Sequence, residues 1–182
     1  MKYLMYISLG LLLLLPTIAK ARRKDLGNVR LSKNFTLSEM IRTSYPVDNT
    51  PKSPIIIENL SWLVNNILQP LRDYFGKPII VTSGYRSPKL NSMLKFSVPN
   101  SKHMYGQAAD IKISGVPGSE IVKAARKLNL PFDTIIDEAL FDEKGNLHTH
   151  THIVGGKKLV ARRRVLLARN EIGNLKPKYI NV

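Results

Sequence analysis

Four histidines stand in this 182-residue chain, and their placement is the first sign of chemistry. His103 precedes Asp110 by seven residues in Ser101-Lys-His-Met-Tyr-Gly-Gln-Ala-Ala-Asp-Ile111, while His148, His150 and His152 occupy alternate positions of Leu147-His-Thr-His-Thr-His-Ile-Val154. Seven residues is too far for ligands stacked on adjacent helical turns, so His103 and Asp110 meet only if the chain bends between them. Gly106 supplies the bend. The alternation of Ala108 to Ile113 predicts a strand that projects Asp110, with His103 on the loop feeding it. Neutral imidazole and carboxylate are ordinary zinc donors, and a catalytic site needs three protein ligands plus a free position. The missing ligand is expected to be another histidine. In a strand, His148, His150 and His152 share one face. A lone histidine is more often a packing residue; three on one face, with the fourth close to an aspartate, favour a metal site. An exposed metal-scavenging strand is the alternative.

The chain has no cysteine, which excludes disulfides, iron–sulfur clusters, thiolate zinc and cysteine nucleophiles, so any metal must be held by nitrogen and oxygen. That composition also suits export. With 43% hydrophobic residues, one domain with a real core is expected. The formal charge of +15 argues for a polyanionic neighbour: nucleic acid, anionic lipid or an acidic wall polymer. Towards the C-terminus Lys157, Lys158, Arg162, Arg163, Arg164, Arg169, Lys176 and Lys178 are opposed only by Glu171. This basic tail reads equally as a solvated face or as an anchor to an anionic surface.

The positioning elements follow from the pattern along the chain. Residues 1–21 read as a secretory signal, with Lys2, an apolar run from Tyr3 to Ile18 and Ala19-Lys20-Ala21 as cleavage site, which implies export to the periplasm or cell envelope. Lys20, Arg22, Arg23 and Lys24, beyond the run, disagree with the usual charge bias of such a signal; a retained membrane anchor is the alternative, although the run is shorter than a comfortable span of about 20 residues. Residues 22–33 form a polar lead-in. Thr36 and Glu39 make a capping box that predicts a helix from Leu37 to about Thr43. Residues 44–53 read as loop. From Pro54 a longer helix carries Ile56, Leu60, Leu63, Ile67 and Leu71 as an apolar stripe, kinked by Pro70 and stopped by Gly76 and Pro78. Ile79 to Thr82 is a buried strand delivering Ser83-Gly84-Tyr85-Arg86 to its end, and residues 87–100 are a helical turn followed by loop. A helix from about Glu120 to Leu128 is capped by Ser119. Phe132 to Glu138 and Leu147 to Val154 read as strands joined through Gly145-Asn146. The fold class is α+β, with a small, mainly antiparallel sheet and flanking helices.

Six segments together resemble the M15 (D-alanyl-D-alanine carboxypeptidase-like) zinc peptidases, in their small phage and bacterial branch. They are Phe35-Thr-Leu-Ser-Glu39, Leu68-Gln-Pro-Leu-Arg72, Ser83-Gly-Tyr-Arg-Ser87, the Ser101 to Ile111 motif, Phe132-Asp133 and the histidine strand. The likeness covers about residues 34–170, which become an M15-like catalytic domain of the M15/hedgehog-like metallopeptidase fold, followed by a basic tail at residues 171–182. It implies that Zn2+ is held by His103, Asp110 and a strand histidine, and that the metal-activated water attacks peptide bonds of peptidoglycan stem or cross-bridge peptides. His152 fits the family's register as third ligand. His150 stands where a tryptophan is usual, and it shares the ligand's face, so it can substitute at the metal, orient substrate or hold an outer hydrogen bond.

The resemblance also implies a general base near the last ligand, for which Glu138 aligns best; a regular strand turns Asp137 the opposite way. Arg86 is the expected clamp for a substrate carboxylate or a developing oxyanion, a contribution of about 3 kcal/mol. Tyr85 and Ser101 are weaker substrate contacts, with Ser83 and Tyr85 more readily read as fixing the loop. The bond cleaved, D,D or L,D, terminal or in a cross-link, stays open. One competing reading is a non-catalytic cell-wall-binding relative, prompted by Thr149, which stands three residues before His152 where a carboxylate could serve as base. Nucleic-acid binding, prompted by Arg162-Arg163-Arg164, lacks the interleaved aromatics such binding uses.

Overall fold

The computed structural model describes residues 29–95, 97–172 and 174–182. The expected leader and the lead-in up to residue 28 lie outside the described residues, among which no helix is long and apolar enough to cross a membrane. The capping box closes as the spacing predicts: Glu39 N donates to Thr36 Oγ1 at 3.4 Å and Thr36 N donates to Glu39 Oε2 at 2.7 Å. It starts helix α1, Leu37–Ile41. Helix α2, Pro54–Leu63, passes through one wider π turn, Val64–Leu68, into α3, Gln69–Phe75. Pro70 has no N–H to give the preceding turn, and the kink expected at Pro70 is taken up upstream, where Gln69 N reaches back five residues to Val64 O. Gly76, at φ 60°, ends α3 in the left-handed conformation.

Six strands form one sheet in the order β1-β2-β4-β3-β5-β6, namely β1 Ile79–Ser83, β2 Ala108–Ile113, β3 Thr134–Phe141, β4 Leu147–Val154, β5 Arg164–Glu171 and β6 Asn174–Asn181. All neighbouring strands run antiparallel except β3 and β5. Between β1 and β2 the chain makes a short helix α4, Pro88–Met93, and between β2 and β3 a longer one, α5, Gly118–Lys127. The expected α+β class therefore holds, and the sheet extends further than the sequence pattern indicates. Residues 171–182, read as a basic tail, carry edge strand β6, where Lys176, Pro177 and Lys178 discourage edge-to-edge pairing.

Helices α1, α2, α3 and α5 pack on one face of the sheet. Leu60, Leu63, Ile67 and Leu71 are fully buried, as the stripe predicts, in one core with Ile111, Ile135, Ile153 and Val165. Each such side chain contributes about 1.5–3 kcal/mol by leaving water. The opposite face of β2, β4 and β3 carries Asp110, His150, His152 and Glu138 together with the apolar Ile136 and Leu140. One expected cap is corrected: α5 begins at Gly118, with Pro117 at the N-cap position and no side-chain cap, so Ser119 lies inside the first turn. Asp137 from β3 explains the early start. A side chain at Gly118 would lie 2.1 Å from Asp137 Oδ1, so only glycine lets this carboxylate approach the positive end of the helix.

Asp133 allows β5 to enter beside β3. Its buried carboxylate accepts from Arg162 Nε at 2.5 Å and Nη2 at 2.9 Å, and Arg164 N donates to its carbonyl at 3.0 Å. Burial opposes ionisation of Asp133 most strongly, but the Arg162 hydrogen bond and charge outweigh it and hold the carboxyl below its ordinary value. Asp133→Asn is expected to lower unfolding free energy by about 1–3 kcal/mol at neutral pH, a modest figure because Arg162 is half exposed and rehydrates. A depressed folded pKa stabilises above the unfolded value of about 3.9 and loses that contribution as pH falls through the folded value. Urea unfolding should show the gap between wild type and D133N in full at pH 7 and shrinking steadily below about pH 4. A gap independent of pH would remove the ion pair as its cause.

Candidate metal centre

Three separate stretches deliver the chemistry. The first is a 3-10 turn, Lys102–Tyr105, closed by Gly106 at φ 67°, which is the bend required between His103 and Asp110. The second is β2, where Asp110 pairs with His152 of β4, the third stretch. His152 in turn pairs with Ile136 of β3, and one row along His150 pairs with Glu138. Alternation along the strands then sends Asp110, His150, His152 and Glu138 into one cleft of ≈ 480 Å³, away from the helices. Asp137 faces the other way, towards α5 and Arg169.

The donor atoms of His103, Asp110 and His152 all lie within 4.8 Å of one another. His103 Nε2 is 3.3 Å from His152 Nδ1 and 3.4 Å from Asp110 Oδ1, and His152 Nδ1 is 2.7 Å from the same oxygen. Bonds of about 2.0–2.1 Å in a tetrahedral site imply donor-to-donor edges of about 3.3–3.4 Å, so two of the three edges already have zinc dimensions. Two imidazoles and a carboxylate with a cleft in front are also the right donor chemistry for a catalytic zinc rather than a closed structural one. The residues fit the ion.

Each of these side chains is held from behind. His103 is buried and its Nδ1–H donates to Gly84 O at 2.6 Å, which leaves the Nε2 lone pair pointing at the cluster. Burial pushes the His103 pKa down, towards the neutral form a metal requires. Gly84 reaches this position only because it has no side chain: a Cβ would stand 2.2 Å from Met40 O. At Asp110, burial works hardest against the charge, yet the adjoining His103 and His152 hold the carboxyl well below the usual range. Its second oxygen, Oδ2, accepts from Arg86 Nη2 at 2.6 Å, and Arg86 Nε donates to Ser83 Oγ at 2.8 Å. A bulge makes this contact, since Val81 pairs with Ile111 but Ser83 already pairs with Asp110, which swings the end of β1 towards the carboxylate.

The structure thus brings together His103, Asp110 and His152. His150 stands beside the cluster rather than in it, with Nε2 4.0 Å from Asp110 Oδ1 and 3.1 Å from Glu138 Oε2. Burial disfavours the charged form of His150, but the hydrogen bond to Glu138 and the charge of Asp110 prevail and raise its pKa. Arg86 and Ser101 line the cleft. Tyr85 does not: its ring is buried in the core, and its backbone is tied to Met40 O and Asn49, because Gly84 turns the chain inward at that point. The support that Arg86 gives Asp110 was not legible from a spacing of 24 residues, and neither was Tyr179, a cleft residue on β6. Thr149, three residues before His152, pairs with Ala139 on the sheet face turned away from the ligands, so a carboxylate there would not reach the metal.

Comparison with known proteins bears on this geometry. Over 124 residues the chain is 32% identical to the zinc D-Ala-D-Ala carboxypeptidase of Streptomyces albus G, a match covering 68% of this chain and 46% of that protein. The matched part is therefore less than half of the relative's length. Residues 33–152, which run from the lead-in through all three ligand stretches to His152 itself, match the Peptidase M15 family. A metal-sized cluster of two imidazoles and a carboxylate, on the strands and turn that this match spans, makes the chain a member of the Peptidase M15 family.

Proposed function

We propose that this protein is a zinc-dependent peptidase that hydrolyses peptide bonds of peptidoglycan, with a D-Ala-D-Ala terminus as the first bond to test. The convergence of His103, Asp110 and His152 at the floor of an open cleft, beside the Glu138–His150 pair, carries this reading. When bound, Zn2+ supplies Lewis acidity, which polarises a carbonyl and makes water acidic near neutral pH. His103, Asp110 and His152 are the residues that would hold it. Glu138, with His150 between it and the ligands, is placed to accept a proton at its carboxylate and return it to the leaving amine. Arg86 acts first as a positioning residue, aiming Asp110 Oδ1 at the cluster by holding Oδ2. Two of its five N–H donors are used on Asp110 and Ser83, and the others remain for a substrate carboxylate. Ser101, a buried residue lining the same cleft, is a further polar contact.

The competing wall-binding module loses its main support, because Thr149 faces away from the site and its lack of charge has no bearing on turnover there. The deciding experiment incubates the full chain with purified peptidoglycan and with a synthetic stem pentapeptide, and identifies products by mass. Loss of a terminal alanine marks a carboxypeptidase; cleavage of dimeric muropeptides marks an endopeptidase. Either should cease with a chelator and return with Zn2+. Retention on the wall with no cleaved product would favour the module, and salt-sensitive DNA binding indifferent to chelator would favour the nucleic-acid reading.

A further inference from the structure

We infer that Tyr179, on the C-terminal strand and outside the matched family region, is a specificity-determining residue: with Pro177 it forms the wall against which an alkyl-bearing residue of the substrate peptide packs. The inference rests on the hydrolase reading above and adds a subsite to it. The sheet register supplies its main support. Glu138 pairs with His150 on one side and with Ala168 of β5 on the other, and Ala168 pairs with Tyr179 of β6. One row across the sheet therefore reads His150, Glu138, Ala168, Tyr179.

Ala168 is fully buried and offers only a methyl group, so no bulky side chain stands between the Glu138 carboxylate and the Tyr179 ring. The ring is close enough to be affected by that carboxylate: partial burial first, and then the Glu138 charge, raise the Tyr179 pKa. Yet Tyr179 is 56% exposed and so is not a core residue. An aromatic residue lining a cleft, on an edge strand that also carries Lys176, Pro177, Lys178 and an exposed Ile180, buries little in the free protein. It gains contact area only when something fills the cleft.

The chemistry of the occupant follows from the other lining groups. Ile136 and Leu140 of β3, Pro177 and Tyr179 of β6 and Val98 are the apolar residues lining the cleft, whose remaining lining, Lys95, Ser97, Asn100 and Lys102 included, is polar. Such a channel takes aliphatic surface, a methyl or methylene stem, while Glu138 marks its boundary with the reacting centre. A substrate with glycine at this position would leave the ring facing water.

The test compares two synthetic stem peptides, alike except that the residue entering this channel is alanine in one and glycine in the other, on the zinc-loaded full chain. Wild type should favour the alanyl peptide in kcat/KM, mainly through KM. Tyr179→Ala should raise KM for the alanyl peptide about tenfold, with kcat within about threefold, and erase the preference. Tyr179→Phe should restore it, because the ring rather than the hydroxyl makes the contact. Unfolding midpoints of both variants establish that the edge strand is intact. An unchanged alanyl-to-glycyl ratio in a folded Y179A overturns the inference and leaves hydrolysis standing. Should wild type release no product, the hydrolase reading falls instead, and calorimetric binding of the same two peptides decides this point: a preference lost in Y179A upholds the subsite, equal dissociation constants overturn it.

Discussion

Replacing His103 by alanine should strip the protein of zinc and of hydrolysis together. His103 provides one of the three proposed donors, and its buried ring is locked by the 2.6 Å hydrogen bond to Gly84, so no neighbouring side chain can take over its position without moving the turn that carries it. His150, the obvious substitute, is engaged by Glu138 and stands 4.0 Å from Asp110 Oδ1. Two ligands do not hold the ion at working concentrations. The metal content of the purified variant, measured by elemental analysis after dialysis, should drop from about one equivalent to near zero. Activity should fall with it on the order of 10³-fold or more, since Lewis-acid stabilisation contributes several kcal/mol. The loss should be specific: His103 sits in a short turn, and circular dichroism should still report the sheet. A variant that keeps its zinc and its rate would remove His103 from the ligand set.

Glu138→Gln should separate chemistry from metal binding. The amide keeps the shape of the side chain and can still hydrogen-bond His150, so the ligands and the cleft are undisturbed, but it cannot take and return a proton. A general acid–base group contributes about 10²–10⁴-fold. A decrease of kcat within that range, with zinc content and KM close to wild type, is the expected result. If E138Q keeps full kcat, Glu138 only orients His150 and the proton must move through another group.

Much of this arrangement can be read without coordinates, where the signal is local. The capping box of Thr36 and Glu39 is a three-residue spacing, and it forms. Strand β2 begins and ends where alternation of apolar residues places it, and β4 spans Leu147–Val154 as the histidine repeat indicates. The period of two then suffices to set His148, His150 and His152 on one face and Asp137 opposite Glu138. Gly106 as the bend before β2 is equally local, because left-handed backbone favours glycine.

What the chain alone determined, then, is the set of candidate donors, the elements that bear them and the face on which each projects, because helix and strand periodicity and turn chemistry act over a few residues. Tertiary structure decided that His152 rather than His150 lies against Asp110, since that depends on β2–β4 register: Asp110 meets residue 152, and a slip of two would have brought it opposite residue 150. It also decided the role of Arg86, which a bulge in β1 turns towards Asp110, the burial of Tyr85 behind Gly84, and the placement of Tyr179 beside Glu138 across two further strands. These relations join residues between 24 and about 40 positions apart through sheet pairing, and pairing over such distances leaves no periodic trace in the sequence.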